Sequence, residues 1–545
     1  MEESSKASII FQISGGNNQI APNATIQQQM STQSSDNNKR IAKNAFLLYI
    51  RMLFLMIISL YTSRVILHAL GVVDYGIHNV VGGVIAMLNF INNSLSAASS
   101  RFITYDIGMG NLDVMKKTFG NILCIHFIIA GFILLIGETI GLWFMMTQLQ
   151  IPENRYVAAF WVYQFSVFTS IISIISVPYN AAIIGHEKMS AFAYISIIEA
   201  ILKLLIVVFL IIFPFDKLII YAIMLFMIQV IVRLVYGIYC KKNFKEVNAK
   251  IKFEKKIFRK IFSFAGWTMI GNLAVMGYTQ GLNILLNIFY GPAVNAARGL
   301  AVQVQTACRQ FCANFQMALN PQLTKRYAQG NLPEMHNLLN KSSKFSYYIL
   351  FIITLPLLFE TDFVLKLWLS EVPNHTSNFL RLILITGLIY SLANPLIVSV
   401  HATGDIKKFQ IIEGFMLLTI VPISYICYKL WEIEPEYFFV IHLVVEFVTQ
   451  YARLKIVLPM INMELQSYIK NVVFPILLVT AITPIIPYFL YFSCAKGFGS
   501  FILICIICTI SNVITIYTFG LSKGERIFLK NKLSQYIINT LLILM

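Results

Sequence analysis

Four arginines lie within or beside long apolar segments, where a guanidinium group is energetically unfavourable. Arg51 immediately precedes the stretch MLFLMIISLYTSRVILHALG and Arg64 interrupts it, while Arg298 and Arg309 lie in a later apolar segment. An unpaired charge at the centre of a bilayer costs at least about 2.5 kcal/mol, so each arginine needs a partner or a ligand. A guanidinium is planar, permanently charged and able to contact two phosphate oxygens at once. We therefore predict that these arginines bind pyrophosphate; pairing with helix carbonyls or buried carboxylates is the alternative.

The spacing of the four arginines around two glycines predicts two tiers. Arg64 precedes Gly71 by seven residues and Arg298 follows Gly291 by seven. At 1.5 Å per residue, each guanidinium lies about 10 Å along its helix from the glycine. The other two arginines lie 20 and 18 residues from the same glycines, or about 27–30 Å away. The two arginines of the first segment differ by about 140° around an ideal helix, so this helix must bend if both are to face one path.

Amides and carboxylates in the apolar segments also need an explanation. The amides can hydrogen-bond to neighbouring helices or line a hydrophilic cavity for sugars, and the sequence leaves these interpretations equal. A buried carboxylate can carry a proton, which makes Glu413 and Glu446 candidates for ion coupling. The candidate sugar-cavity residues are Asn89, Asn92, Asn93, Gln305, Gln310 and Asn314.

The other cysteines and arginines that could take part in chemistry have structural explanations. Cys505 and Cys508 have CxxC spacing but lie in an apolar run without a second pair, so no metal site is predicted. Arg101 lies near a predicted helix end, from which its side chain can reach the headgroups. Arg453 is one of the basic residues assigned to the connections between helices. The sequence shows no nucleophile–base grouping and no glycine-rich phosphate loop, so we predict no catalytic residues and no cofactor.

Composition defines the environment of these residues. The chain of 545 residues is 57% hydrophobic and 12% charged, with a mean hydropathy of +0.72; soluble proteins are about one-quarter charged. Its apolar segments reach about 20 residues, enough to cross a bilayer, and they lack the alternation of barrel strands. We predict an all-α integral membrane protein with about fourteen transmembrane helices. Basic loops, and not a nucleic-acid partner, explain the net charge of +17.

The connections between the predicted helices alternate in charge. One side has 28 Lys and Arg residues and the other has five, so the basic side and both termini are predicted to be cytoplasmic. The predicted order is a disordered cytoplasmic tail (1–40, with Met30 as an alternative start), a first lobe of six helices (41–240), a basic linker (241–261), a second lobe of six helices (262–460), two further helices (461–521) and a cytoplasmic tail (522–545).

An internal repeat relates the two lobes. The segment SRFITYDIGMGNLDVMKK (100–117) resembles NPQLTKRYAQGNLPEMHN (320–337), and both share a GNL motif that is predicted to end the second helix of its pair. The offset of 220 residues also maps Gly71 onto Gly291. A repeat of six helices keeps its orientation in the membrane, so the lobes are predicted to be parallel and to enclose a site near the midplane.

Residues 38–111 carry a family resemblance, above all in LGVVDYGIHNVVGG. The chain from about 38 to 521 resembles the polysaccharide-type, Wzx-like flippases of the multidrug/oligosaccharidyl-lipid/polysaccharide exporter superfamily. The resemblance implies two MATE-like lobes in a bacterial inner membrane. It also implies that the protein moves undecaprenyl-pyrophosphate-linked oligosaccharides of O-antigen, capsule or exopolysaccharide from the inner to the outer leaflet by alternating access.

The resemblance leaves the cargo and the energy source open. The implied partners are the lipid-linked oligosaccharide, membrane lipids and the polymerase or glycosyltransferase machinery of glycan assembly, and relatives often couple transport to H⁺ or Na⁺. A cation-coupled antiporter of drugs or metabolites with the same fold is the alternative. A membrane polysaccharide polymerase is disfavoured, because chemistry on an exposed substrate calls for a large outer loop and the predicted outer loops are short.

Overall fold

The computed structural model describes residues 43–58, 61–62, 65–66, 69–70, 74, 77–78, 81, 89–148, 151–212, 216–248, 253–369, 372–493, 497–527 and 530. Arg64, Gly71, the predicted N-terminal tail and most of the predicted C-terminal tail lie outside the described residues. No strand occurs in the described ranges. The α-helices are α1 (43–58), α2 (Asn89–Met109), α3 (Leu112–Ile136), α4 (Leu142–Gln148), α5 (Tyr156–Gly185), α6 (Met189–Ile212), α7 (Lys217–Asn243), α8 (Lys255–Tyr290), α9 (Pro292–Ala328), α10 (Leu332–Phe359), α11 (Thr361–Trp368), α12 (Thr376–Tyr390), α13 (Ala393–Thr403), α14 (Lys407–Leu418), α15 (Ile420–Trp431), α16 (Glu436–Met460), α17 (Leu465–Tyr468), α18 (Phe474–Ile482), α19 (Ile485–Ser493) and α20 (Phe498–Thr515).

Ten helical stretches in these ranges are long and apolar enough to cross a membrane. Helices α2 and α9 are not among them, because Asn, Ser, Thr and Gln residues interrupt their apolar sequence. The predicted number of fourteen transmembrane helices is therefore not confirmed and stays a prediction.

The repeated GNL motif ends one helix and begins the next in both lobes. Gly110 and Gly330 adopt φ angles of 72° and 71°, a left-handed conformation that terminates a helix and strongly favours glycine. The following asparagines cap the next helices, since Asn111 Oδ1 accepts hydrogen bonds from the backbone of residues 113 and 114, and Asn331 Oδ1 accepts one from Glu334. The motif thus gives each lobe the same sharp turn after its second helix.

The helices form two lobes, and their apolar cores meet because Phe264 of α8 packs in the core of the first lobe. The first lobe comprises α1–α7 and buries Phe119, while the second lobe comprises α8–α16 and buries Phe379 and Phe409. Helices α18 and α20 join the second core through Val479 and Cys508. Burial of aromatic and aliphatic side chains is the main source of stability for each lobe, at about 1.5–3 kcal/mol for a fully buried side chain.

Two ends of the molecule can be distinguished by their charged contacts. We call the end with the turns at 110–111, 186–188, 330–331 and 404–406 the basic face, because the Lys-rich connections lie there. At the opposite face, Arg155 forms ion pairs with Asp74 at 2.6 Å and Asp216 at 2.5 Å. His375 Nδ1 lies 2.7 Å from Glu436 Oε1. These ion pairs at the opposite face join elements of the same lobe.

Candidate functional site

A cavity of about 500 Å³ lies between the two lobes. Helix α2 and the end of α5 form its wall in the first lobe, and α8, α9, α12, α13 and α14 form the wall in the second. The wall is rich in amides, hydroxyls and a few charged groups. Its amide side chains are Asn93, Asn272, Gln316, Asn320, Asn394 and Gln410, and its hydroxyl side chains include Ser96, Ser100, Thr104, Thr268, Thr324 and Tyr390.

The two repeats contribute equivalent positions to this wall. Helix α2 provides residues 93, 96, 97, 100, 101 and 104, and α9 provides residues 313, 316, 317, 320, 321 and 324. Each position on α9 lies 220 residues after its counterpart on α2, the offset found in the sequence. The spacing of three and four residues places each set on one face of its helix. The cavity is therefore enclosed by the same helix face of each repeat.

Arg101 is the cationic residue in the wall that comes from the first lobe. Its Nε donates to the carbonyl of His401 at 3.0 Å and its Nη2 donates to the carbonyl of Ala402 at 3.1 Å, at the C-terminal end of α13. Its guanidinium also stacks on Phe102 and Tyr105, at 4.3 and 4.7 Å from the ring centroids. The side chain is 6% exposed. The prediction that Arg101 reaches the headgroups is wrong, because the carbonyls of the facing lobe and two rings hold it inside.

The other arginines named in the sequence analysis take different places. The guanidinium of Arg51 lies 4.4 Å from the ring centroid of Phe192 on α6, within the first lobe. Arg298 Nη2 donates to the carbonyl of Thr279 at 3.2 Å, and its Nη1 donates to Asn283, both on α8. Neither Arg51 nor Arg298 appears among the described residues of the cavity wall. Both guanidinium groups thus contact residues of their own lobes, and Arg51 Nε and Arg298 Nε have no hydrogen-bond partner in the described part of the chain.

Arg309 lies next to the cavity. It is exposed, and its guanidinium stacks 4.4 Å from the ring centroid of Tyr390, which lines the wall. Among the described arginines of the predicted tiers, Arg309 alone is adjacent to a wall residue. The structure therefore does not bring Arg51, Arg298 and Arg309 together as facing tiers.

The predicted sugar-cavity residues are also dispersed. Asn89 begins α2, Asn93 lines the cavity, and Asn92 on the same helix is half-buried. Asn314 is buried and donates to the carbonyl of Gln310 in its own helix at 2.9 Å, while the Gln310 side chain is exposed. Gln305 fills the space left beside a glycine on α12. Of the six predicted amides, the cavity wall includes Asn93.

Besides Asn93, the wall includes Gln316, which ends the polar segment QTACRQFCANFQ (305–316) noted in the sequence. Sequence reasoning missed the other four amides of the wall, which are Asn272, Asn320, Asn394 and Gln410. The repeat contained a signal for one of them, because Asn320 is the counterpart of Ser100 at an offset of 220. Asn272 donates from Nδ2 to Ser94 Oγ at 2.8 Å, a bond that joins α8 to α2 across the cavity edge.

The two candidate ion-coupling carboxylates share one guanidinium. Arg453 Nε lies 2.7 Å from Glu413 Oε1, and Arg453 Nη1 lies 2.5 Å from Glu446 Oε1. The side chain of Arg453 is 1% exposed, so its assignment to a basic connection is wrong. Arg453 lies two turns before the end of α16, and the helix continues far enough for it to be enclosed by α14 and α16. The cluster carries one negative charge in excess when both carboxylates are ionised and none when one is protonated, and Glu413 also lines the cavity.

Side-chain contacts join the lobes at the basic face. Glu187, in the turn after α5, forms an ion pair with Lys325 on α9 at 2.5 Å and accepts a hydrogen bond from Gln322. Gly108 on α2 approaches α9 so closely that an added Cβ would lie 2.9 Å from the Cβ of Ala328. Together with Arg101, these contacts close the basic face of the molecule.

Known proteins provide an independent comparison. The sequence model of the family described as polysaccharide biosynthesis protein matches residues 41–326. No curated protein sequence matches the chain significantly.

Solved structures share the fold at low sequence identity. A mutant of MATE has a TM-score of 0.65 at 13% identity, covering 76% of this chain and 94% of its own. The MATE transporter ClbM in complex with Rb⁺ has a TM-score of 0.61 at 16% identity, covering 79% and 97%. A MOP-superfamily transporter from Pyrococcus furiosus, described by a binding pocket of reverse polarity, has a TM-score of 0.62 at 12% identity, covering 76% and 94%. The predicted all-helical membrane fold with MATE-like lobes is confirmed, and the chain belongs to the polysaccharide biosynthesis protein family.

Proposed function

We propose that this protein is a flippase that moves an undecaprenyl-pyrophosphate-linked oligosaccharide from the inner to the outer leaflet of a bacterial inner membrane by alternating access. The amide-rich cavity between the lobes is the observation that carries the proposal. Amides both donate and accept hydrogen bonds, as sugar hydroxyls require. A volume of about 500 Å³ is in the range of small-molecule sites and accommodates part of a sugar headgroup.

Cationic groups near the two ends of the cavity suit a diphosphate. Arg101 lies at the basic end beside α13, whereas Arg309 lies beside Tyr390. Arg309 precedes the wall residue Thr324 by 15 residues on α9, which is about 22 Å along a helix. A pyrophosphate that moves from one arginine to the other would cross much of the membrane, with Arg64 and Arg298 as the further predicted contacts. No catalytic group is invoked, in keeping with the transporter family.

Orientation and coupling follow from charge. By the positive-inside rule the basic face is cytoplasmic, together with both termini, so the conformation described is closed to the cytoplasm. The excess negative charge of Glu413, Glu446 and Arg453 provides a site for H⁺ or Na⁺, whose arrival neutralises the group. The glycan-assembly enzymes that make or polymerise the oligosaccharide are the expected partners.

A cation-coupled antiporter of drugs or metabolites is the second candidate. The observation that favours it is the carboxylate of Glu413 in the cavity wall. The ion pair with Arg453 weakens this argument, because the guanidinium offsets the charge that a cationic drug would meet.

Reconstitution tests the two functions directly. The purified chain is placed in vesicles that contain undecaprenyl-pyrophosphate-linked disaccharide, and a membrane-impermeant glycosidase reports the glycan that reaches the outer leaflet. The flippase proposal expects a protein-dependent increase in accessible glycan. If several glycans stay inaccessible while ethidium exchanges for protons in the same vesicles, the flippase proposal is refuted and the antiporter is favoured.

A further inference from the structure

Arg101 is part of both the cavity wall and a contact between the two lobes. It lines the cavity between the lobes, and it bonds to the carbonyls of His401 and Ala402 in the facing lobe. Those carbonyls end α13, where a helix carries partial negative charge. The contact therefore closes the cavity at the basic face, and the same arginine lines the cavity.

The residues around Arg101 form a pocket that fits its guanidinium group closely. Gly404 follows α13 with a φ of 83°, and an added Cβ there would lie 2.7 Å from Arg101 Nη2. A side chain at this position would thus be strained and would also displace the arginine. The ring of Phe264 on α8 lies 5.8 Å from the guanidinium carbon, which completes the enclosure.

Hydrogen-bonding capacity is left unused around Arg101. Its Nη1 has no hydrogen-bond acceptor in the described part of the chain. Thr104 lines the same wall one turn further along α2, is 1% exposed, and its Oγ1 has no hydrogen-bond partner there either. Both groups can donate a hydrogen bond, and an unpaired buried donor such as the Thr104 hydroxyl is unfavourable by about 1–3 kcal/mol. A ligand with several acceptor oxygens, such as a phosphate group, can accept from Arg101 Nη1, whereas Thr104 Oγ1 lies against Gly185, where an added Cβ would be 3.0 Å away.

A second contact closes the basic face in a pseudo-symmetric position. Glu187 follows α5 in the first lobe and binds Lys325 and Gln322 on α9. Arg101 on α2 reaches the end of α13 in the second lobe in the same manner. The two contacts differ in one respect, since Lys325 and Gln322 are not among the residues that line the cavity.

We propose that a phosphate group in the cavity binds Arg101 in competition with the carbonyls of His401 and Ala402, so that ligand binding and closure of the basic face exclude each other. This inference rests on the proposed function for the origin of the phosphate. A bidentate bond to an anionic phosphate is stronger than a bond to neutral carbonyls. The ligand therefore favours the open basic face, and closure removes Arg101 from the phosphate and weakens its binding before release at the opposite face.

The test combines ligand affinity with hydrogen exchange of the full-length protein in detergent. Sodium pyrophosphate is the probe, and exchange is followed in peptides covering 399–408 and 183–190. In the wild type, pyrophosphate is expected to accelerate exchange in both peptides. Arg101→Gln is expected to exchange quickly without ligand, to show no response, and to bind pyrophosphate at least tenfold more weakly, equivalent to about 1.4 kcal/mol.

Lys325→Met is the matched control because it removes the other closing contact and leaves the cavity wall unchanged. It is expected to accelerate basal exchange and to bind pyrophosphate at least as tightly as the wild type, because the open basic face is the state that binds the ligand. Gly404→Ala keeps the arginine but displaces it, and it is expected to resemble Arg101→Gln. Wild-type affinity in Arg101→Gln, or pyrophosphate binding to the wild type without faster exchange, would overturn the proposal.

Two further arms identify the source of the phosphate and separate this inference from the proposed function. Faster exchange in phosphatidylglycerol nanodiscs without pyrophosphate, but not in phosphatidylcholine nanodiscs, supports the Arg101 competition with a lipid headgroup as the ligand. If wild-type protein flips the lipid-linked disaccharide and Arg101→Gln flips it at the same rate, the competition at Arg101 is refuted while the flippase proposal stands. A wild type that binds pyrophosphate through Arg101 but moves no glycan refutes the function and supports the anion site.

Discussion

Replacement of Arg453 by methionine is expected to destabilise the second lobe strongly. The arginine is 1% exposed and contacts Glu413 at 2.7 Å, Glu446 at 2.5 Å and Gln450 Oε1 at 3.1 Å. Methionine keeps most of the apolar stem but leaves two carboxylates together in a buried position. Loss of one partner from a buried ion pair is unfavourable by about 3–5 kcal/mol, so we expect a loss of at least this size in the free energy of unfolding.

Charge balance, and not the loss of arginine contacts alone, is the cause of this expected loss. The triple variant Arg453→Met, Glu413→Gln, Glu446→Gln removes all three charges and should recover most of the stability, because a buried ionic group can be replaced by neutral residues at little net change. Glu446→Gln alone leaves a balanced pair between Arg453 and Glu413. We expect it to retain the fold and to abolish the dependence of transport on H⁺ or Na⁺.

Thermal unfolding monitored by size-exclusion chromatography in one detergent measures these differences. Arg233→Met is the matched control, because this half-buried arginine stacks on Tyr179 at 3.8 Å and its loss should be unfavourable by only about 1–2 kcal/mol. The reasoning is refuted if Arg453→Met unfolds at the same midpoint as Arg233→Met, or if the triple variant is less stable than Arg453→Met.

Three other substitutions test the closure, the opposite face and the cavity. Gly108→Val should push α2 from Ala328, accelerate hydrogen exchange at the basic face and slow transport, whereas Gly131→Val should not, since an added Cβ there meets nothing within 4 Å. Arg155→Met should lower the free energy of unfolding by about 1–3 kcal/mol at pH 7. Burial alone would raise the pKa of Asp216, but the hydrogen bond from Arg155 brings this pKa below its ordinary value. That contribution is present above the ordinary pKa near ~4 and disappears as the pH falls through the lower folded value, so the unfolding midpoints of wild type and Arg155→Met should converge in acid. Asn394→Leu removes a buried Oδ1 without a hydrogen-bond partner from the cavity wall, so the thermal midpoint should rise while glycan transport falls; a fall in both would show that the amide is structural.

The sequence predicted the membrane class and the helix ends at the GNL motifs, because hydropathy and turn residues act locally. The MATE-like lobes were implied by the family resemblance. Residue spacing gave the depth of each arginine along its helix but not the direction of the side chain. Helices that are apolar on most faces lack the amphipathic pattern that would indicate this direction. The partner of Arg298 on α9 lies on the preceding helix, α8. The partners of Arg453 on α16 include Glu413 on α14. Such contacts depend on tertiary packing, which residue spacing within one helix does not specify.

The offset of 220 residues contained more information about the cavity than the charges did, because it relates every wall position on α2 to one on α9. The informative pair is the one in which the chemistry differs: Arg101 in the first lobe corresponds to Pro321 in the second. Proline has no N–H, so the carbonyl of Met317, also in the wall, receives no hydrogen bond from position 321. The first lobe thus has a guanidinium at a position where the second lobe has a proline and lacks one helical hydrogen bond. Guanidinium donors suit phosphate oxygens and a carbonyl suits a sugar hydroxyl, so this departure from symmetry agrees with the glycan diphosphate that we propose as the ligand.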